Sequence, residues 1–229
     1  MPNENMLLFL HRQTRISTMI KSIGLIAALF LCTLTLPAQN VVHRPLSYGD
    51  RIHGYVLCNG KCVDAVYSVR DIEGTQVELG CNSYSQTAVD TALAGRIVVP
   101  LRITAPNGQS FLVTSASRHC FAHCSHITEV VLSDSIRDIG DQSFMNCRSL
   151  KSVELPSGAT NLWPYAFRGC SKLRRVIVKA TVPPDSYNDV FDEHTLRFAT
   201  LVVPLASAEA YRQAFVWNMF RYSIPSIDL

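Results

Sequence analysis

Apolar positions in the middle of the chain recur every 23 residues. Phe121, Phe144 and Phe167 share one column, and Cys124, Cys147 and Cys170 share another. The same spacing links Ile127, Leu150 and Leu173; Val130, Val153 and Val176; and Leu132, Leu155 and Val178. Upstream, Val113, Ile136 and Ala159 fall in register, as do Ala116, Ile139 and Leu162. Each unit therefore reads Ile-x-x-Ile-Gly-x-x-Ser/Ala-Phe-x-x-Cys-x-x-Leu-x-x-Val-x-Leu-Pro. Its Leu-x-x-Val-x-Leu stretch ends in the apolar–polar alternation of a half-buried strand. The stretch around Phe and Cys is too short for a helix and predicts a single tight turn. One strand and one turn cannot bury an apolar face alone, but stacked copies can, because each column meets its equivalent next door. The pattern predicts parallel, in-register strands forming one face of a solenoid.

The ends predict caps for the open stack. Residues 54–104 read as strands, notably Val63–Val69, Thr75–Leu79 and Arg96–Ile103, with hairpin signals at Asn59-Gly60 and Asn107-Gly108. Residues 82–95 and 181–189 read as loops. At the far end Ser207 is placed to cap a helix over Ala208–Ala214, with Glu209 in its first turn. Tyr211, Phe215 and Trp217 are then expected to cover the last unit.

This repeat resembles the BspA-type leucine-rich repeat of bacterial surface proteins. The resemblance rests on Ile136-Arg-Asp-Ile-Gly-Asp-Gln-Ser-Phe-Met-Asn-Cys-Arg-Ser-Leu-Lys-Ser-Val-Glu-Leu-Pro156, with its neighbours Val113–Leu132 and Leu162–Val178. It covers about residues 96–220. Two departures stand out: Trp163-Pro164 replaces the usual Gly and its successor, and the unit around Val190-Phe191 lacks the cysteine. The resemblance implies a short, β-rich repeat solenoid with parallel strands, an N-terminal β cap and a short helical C-terminal cap. The expected divisions are a leader over 1–39, the β cap over 40–104, repeats over 105–204 and the closing cap over 205–229. Surface adhesion, or binding of a host or matrix protein, is the function the resemblance implies.

The leader changes the charge picture. Residues 23–36 carry no charge and form a run too short to span a bilayer but right for a signal-peptide core, with Lys21 as its basic flank. Cleavage near residues 38–39 is expected, and Met19 is an alternative start. The chain of 229 residues has 21 basic and 18 acidic side chains. Residues 1–39 hold Arg12, Arg15, Lys21 and Glu4, so the remainder is close to neutral. That excludes a nucleic-acid binder working through net charge. No further apolar run of spanning length follows, so an exported protein, surface-bound, secreted or periplasmic, is expected without stable membrane insertion.

Candidate chemistry centres on His119-Cys-Phe-Ala-His-Cys-Ser-His126. His119, His123 and Cys124 invite a zinc reading. The register opposes it: Cys124 lies in the core cysteine column, while His119, His123 and His126 align with Gln142, Asn146 and Ser149. The columnar cysteines are expected as free buried thiols, with desolvation making them poor nucleophiles. Cys58 and Cys62 flank a hairpin turn and are candidates to bridge across it, with Cys81 as another partner. The sequence has no Gly-x-Ser-x-Gly, His-Glu-x-x-His or phosphate loop, and Asp189, Asp192 and Glu193 read as a solvated loop. No enzyme and no cofactor are expected.

Binding is the better expectation. In each strand the residues flanking the central Val point away from the core. They form two rows, Glu129-Ser152-Arg175 and Val131-Glu154-Ile177, on the face expected to be concave. Mixed charge with exposed β-branched residues suits a protein or peptide partner. The expected function is a secreted or cell-surface binding module. The alternatives are an envelope adaptor and, further off, a zinc-dependent hydrolase built on His119, His123 and Cys124.

Overall fold

The computed structural model describes residues 46–71, 73–105, 108–187 and 189–229. The expected leader, and Asn107 of the second hairpin signal, lie outside them. Strand β1 (Arg51–Cys58) and β2 (Lys61–Val69) form an antiparallel hairpin, and β2 pairs in turn with β3 (Gln76–Leu79). The turn between β1 and β2 is Asn59-Gly60, with φ of 50° and 80°. Both values are left-handed, which Asn and Gly tolerate and which matches the twist of a two-residue hairpin.

Two parallel ladders grow from this hairpin. One runs β4 (Ala94–Val98), β7 (His126–Val131), β9 (Ser152–Leu155), β11 (Arg175–Val178), β13 (Thr200–Pro204) and β14 (Tyr222–Ser226). The other runs from β3 through β6 (Ser110–Ala116), β8 (Asp138–Ile139), β10 (Asn161–Leu162) and β12 (Asp185–Ser186). The short β5 (Arg102–Thr104) pairs antiparallel with β6. Because β1 pairs with β4 and β2 with β3, all these strands form one continuous sheet that folds over the N-terminal end of the stack. The hairpin is thus a true cap: it occupies the sheet edges that would otherwise lie open there.

The predicted strands form the first ladder in the predicted register. Val130 pairs with Val153, Val153 with Val176, and Val176 with Leu201, all fully buried. The second ladder was not expected from the sequence. Its strands β8, β10 and β12 are two residues long, too short to show alternation. Between the ladders the repeated turns stack through their side chains. Rings of Phe121, Phe144, Phe167 and Phe191 follow one another at 5.1, 5.1 and 5.3 Å, within 16° of parallel. Their backbones pair too: Phe121 N–H donates to Ser143, Phe144 to Ala166 and Phe167 to Val190.

The closing segment departs from expectation in detail. Helix α1 (Glu193–Phe198) replaces the turn of the fourth unit, and α2 (Ala208–Gln213) follows β13. Asp192, ahead of α1, accepts the Gly169 N–H at 2.6 Å through Oδ2, so a carboxylate stands in for the missing turn carbonyl. Ser207 occupies the cap position of α2, yet its side chain makes no capping hydrogen bond. Tyr211 and Trp217 are buried as expected, their polar ends satisfied by the Ala180 and Pro184 carbonyls at 2.8 Å. Phe215 instead points outward, 62% exposed; Phe220 takes its place, edge-on to Phe191 at 5.3 Å. A further strand, β14, lies beyond the helix and extends the first ladder.

Candidate binding surfaces

Parallel pairing brings the two expected rows together. Glu129 is in register with Ser152, Ser152 with Arg175, and Arg175 with Thr200. Val131 aligns with Glu154, Glu154 with Ile177, and Ile177 with Val202. The pairing also extends the rows beyond the sequence reading, to Arg96 and Val98 at one end and to Tyr222 and Ile224 at the other. Those outer members were missed because their spacing is 33, 25 or 22 residues rather than 23.

The carboxylates of this face are internally paired. Arg96 Nε lies 3.0 Å from Glu129 Oε1, and Lys179 Nζ contacts Glu154 Oε1. Such exposed pairs contribute little to stability, but they neutralise both acids. Lys151, Arg174 and Arg175 remain exposed, and among the described residues none of the three has an acidic partner. Along this row Ile177 is partly exposed and Ile224 exposed, while Val202 between them is buried. The strand face is therefore cationic on one border, with partly exposed Val131 and Ile177 on either side of the paired Glu154.

Backbone conformation places His119 and His123. His119, Gln142 and Tyr165 share a column with φ of 58°, 55° and 58°; His123, Asn146 and Gly169 share another with 64°, 61° and 77°. Two residues per turn must be left-handed, a conformation in which Asn, His and Gly are over-represented. His119 is held by the Tyr84 carbonyl at 2.9 Å and by Gln142 Oε1 at 3.0 Å. His123 is exposed, whereas Cys124 faces the core. Among the described residues no group of three His, Cys, Asp or Glu side chains converges as a metal site.

The columnar cysteines are free and buried, in line with the sequence reading. The Cys147 thiol donates to the Phe121 carbonyl and the Cys170 thiol to the Phe144 carbonyl, each at 3.2 Å, linking one unit to the one before. Burial pushes the Cys124 and Cys170 thiols up to about 12, and those of Cys120 and Cys147 well upward. They are protonated at any ordinary pH and poor nucleophiles. Cys58 and Cys81 also carry free thiols, so neither bridges to the other or to Cys62. Cys58 instead donates to the Ala94 carbonyl at 3.2 Å, which ties the hairpin to β4.

Residues 103–216 match the BspA type leucine-rich repeat region in six copies. The chain belongs to that family. Its β-rich solenoid, with parallel strands and capped ends, is the fold the repeat pattern predicts. Similar solved structures include a leucine-rich repeat protein from Bacteroides capillosus, 23% identical, with a TM-score of 0.48 over 61% of this chain and 93% of that one. A leucine-rich cell surface protein from Faecalibacterium prausnitzii is 18% identical, with a TM-score of 0.43 over 71% of this chain and 38% of that one. A leucine-rich repeat protein from T. pallidum is 17% identical, with a TM-score of 0.44 over 61% and 68%. No curated protein matches this chain significantly. Among the described residues no helix is long and apolar enough to cross a membrane.

Proposed function

We propose that this BspA-type repeat protein is an exported binding module whose strand face recognises a protein partner, and that it carries out no chemistry. The observation that carries this reading is the in-register face itself. Arg175, Lys151 and Arg174 border the partly exposed Val131 and Ile177, while Glu129 and Glu154 are already neutralised by Arg96 and Lys179. A surface of this kind fits a partner with an apolar centre and carboxylates along one side. The signal-like leader and the family support cell-surface display and adhesion, with the repeats over 105–204 supplying the face between an N-terminal cap over 40–104 and a C-terminal cap over 205–229.

Affinity capture from the native surroundings tests it. The double variant Glu154→Arg/Arg175→Glu is compared with Arg137→Glu, a charge change on the other ladder. The reading predicts that the first loses a protein retained by the wild type, with affinity down about 10- to 100-fold, and that the second keeps it. Equal capture by all three proteins would end the strand-face reading.

A further inference from the structure

The second ladder carries a feature that the strand face does not explain. In register, Leu79, Ala116, Ile139, Leu162 and Ser186 lie side by side. The residues that follow them are Gly80, Ser117, Gly140, Trp163 and Tyr187. Three small residues thus form a floor, and at the fourth coil an indole stands up from it. Gly140 is needed for the floor: a Cβ there would sit 2.7 Å from the backbone of Ser117 and Arg118. Trp163 is 43% exposed, although a large aromatic in a turn column would normally be buried. Tyr187 stacks against it at 6.0 Å and covers one side. On the other side lies the Gly140 coil, where a cleft of about 290 Å³ opens with Trp163 in its lining. Small-molecule clefts start at roughly this size, about 300 Å³.

The polar groups of the cleft are held before any ligand arrives. Arg118 lies over the Tyr84 ring at 4.0 Å, with its Nε 3.4 Å from Asp141 Oδ2 and without a hydrogen-bond partner. Arg70 pairs with Glu78 at 2.9 Å, and Glu78 also accepts the Ser68 hydroxyl at 3.0 Å. Asp138 accepts the Asn161 amide at 2.8 Å. Two guanidinium groups and three carboxylates therefore face one small space, with both guanidinium groups paired. An anionic ligand would meet the three carboxylates, and a cationic one the two arginines. A hydroxyl suits both, since it donates to a carboxylate and accepts from a guanidinium. The flat C–H face of a sugar ring packs on an exposed indole by dispersion. Fixed donors and acceptors limit the entropy cost of binding such a ligand.

We propose that the cleft between Gly140 and Trp163 binds a neutral pyranose glycan, with one ring stacked on Trp163 and its hydroxyls held by Arg118, Asp141 and Asp138. The site lies on the ladder opposite the strand face and does not depend on the protein-binding reading.

The protein has two tryptophans, and Trp217 is only 2% exposed, so acrylamide quenching reports chiefly on Trp163. The purified protein is titrated with neutral tetrasaccharides of glucose, mannose, galactose and N-acetylglucosamine, and separately with a proline decamer and a heparin hexasaccharide. The expected result is saturable protection of Trp163 from quenching by at least one neutral tetrasaccharide. Calorimetry on Trp163→Ala should then show affinity down about tenfold or more, with Trp163→Phe between the two and Trp217 emission unchanged. Asp141→Asn is expected to weaken binding while leaving the aromatic platform in place. Glu154→Arg/Arg175→Glu should bind the glycan as wild type does, so failure of one site is separable from failure of the other. The proposal is overturned if no neutral tetrasaccharide protects Trp163, if Trp163→Ala binds undiminished, or if only the proline decamer or the heparin fragment binds.

Discussion

A buried thiol that donates to a carbonyl one unit away does two jobs, filling a small apolar space and satisfying a turn carbonyl. Cys147 and Cys170 do both. Desolvation holds the Cys124 and Cys170 thiols at about 12 against an ordinary 9.0. The folded state therefore keeps protons that the unfolded chain loses above pH 9. Stability contributed by these thiols is full below about pH 9 and falls as pH rises towards 12. Chemical denaturation between pH 8 and 11 should show a steady loss that is reduced in Cys170→Ala, once its own lower baseline is subtracted. At pH 8, thiol labelling of the native protein should mark Cys81, which is partly exposed, and leave Cys120, Cys124, Cys147 and Cys170 unmarked until unfolding. These columns were legible in the sequence because a core position has one neighbour of its own kind on each side, which holds the residue type constant. The left-handed positions of His119 and His123 were less legible, since Gln142, Asn146, Tyr165 and Gly169 meet the same backbone need with different side chains.

The Phe ladder is the main packing feature at the level of the element. Phe144 stacks on both sides, so truncation opens a cavity between two units. Phe144→Ala is expected to cost about 3–5 kcal/mol, whereas Phe215→Ala, at an exposed position, should stay within about 0.5 kcal/mol. Urea denaturation of the two variants checks the contrast, and a large loss for Phe215→Ala would contradict the packing described for the C-terminal cap. From the sequence alone Phe215, Trp217 and Tyr211 looked equivalent. What separates them is Val216, whose φ of 69° turns the chain so that Trp217 enters the core and Phe215 leaves it. No local pattern announces such a bend. The two-residue strands of the second ladder were equally hidden, because their pairing is set by the coils around them. With that ladder went the floor of Gly80, Ser117 and Gly140; only the Gly-to-Trp change at Trp163 hinted that this side of the solenoid is special.

Across the whole molecule, one sheet closes over its own N-terminal end and leaves two different outer faces. The face through β7, β9 and β11 presents two in-register rows, Glu129-Ser152-Arg175 and Val131-Glu154-Ile177. The alignment of its six expected residues was readable in advance, because parallel in-register pairing follows directly from a strict repeat. Their ion pairs were not, since Arg96 and Lys179 lie outside the repeated positions. The pairs leave the border at Lys151, Arg174 and Arg175 as the unneutralised charge of that face. Site-specific photo-crosslinking on the native cell surface tests this assignment most directly. A photoreactive side chain is placed in turn at Ser152 and Ile177 on the strand face, and at Arg137 and Arg168 away from it. The account predicts one protein adduct of constant mass from Ser152 and Ile177, and none from Arg137 or Arg168. Adducts of equal yield from all four positions, or from Arg137 and Arg168 alone, would contradict it.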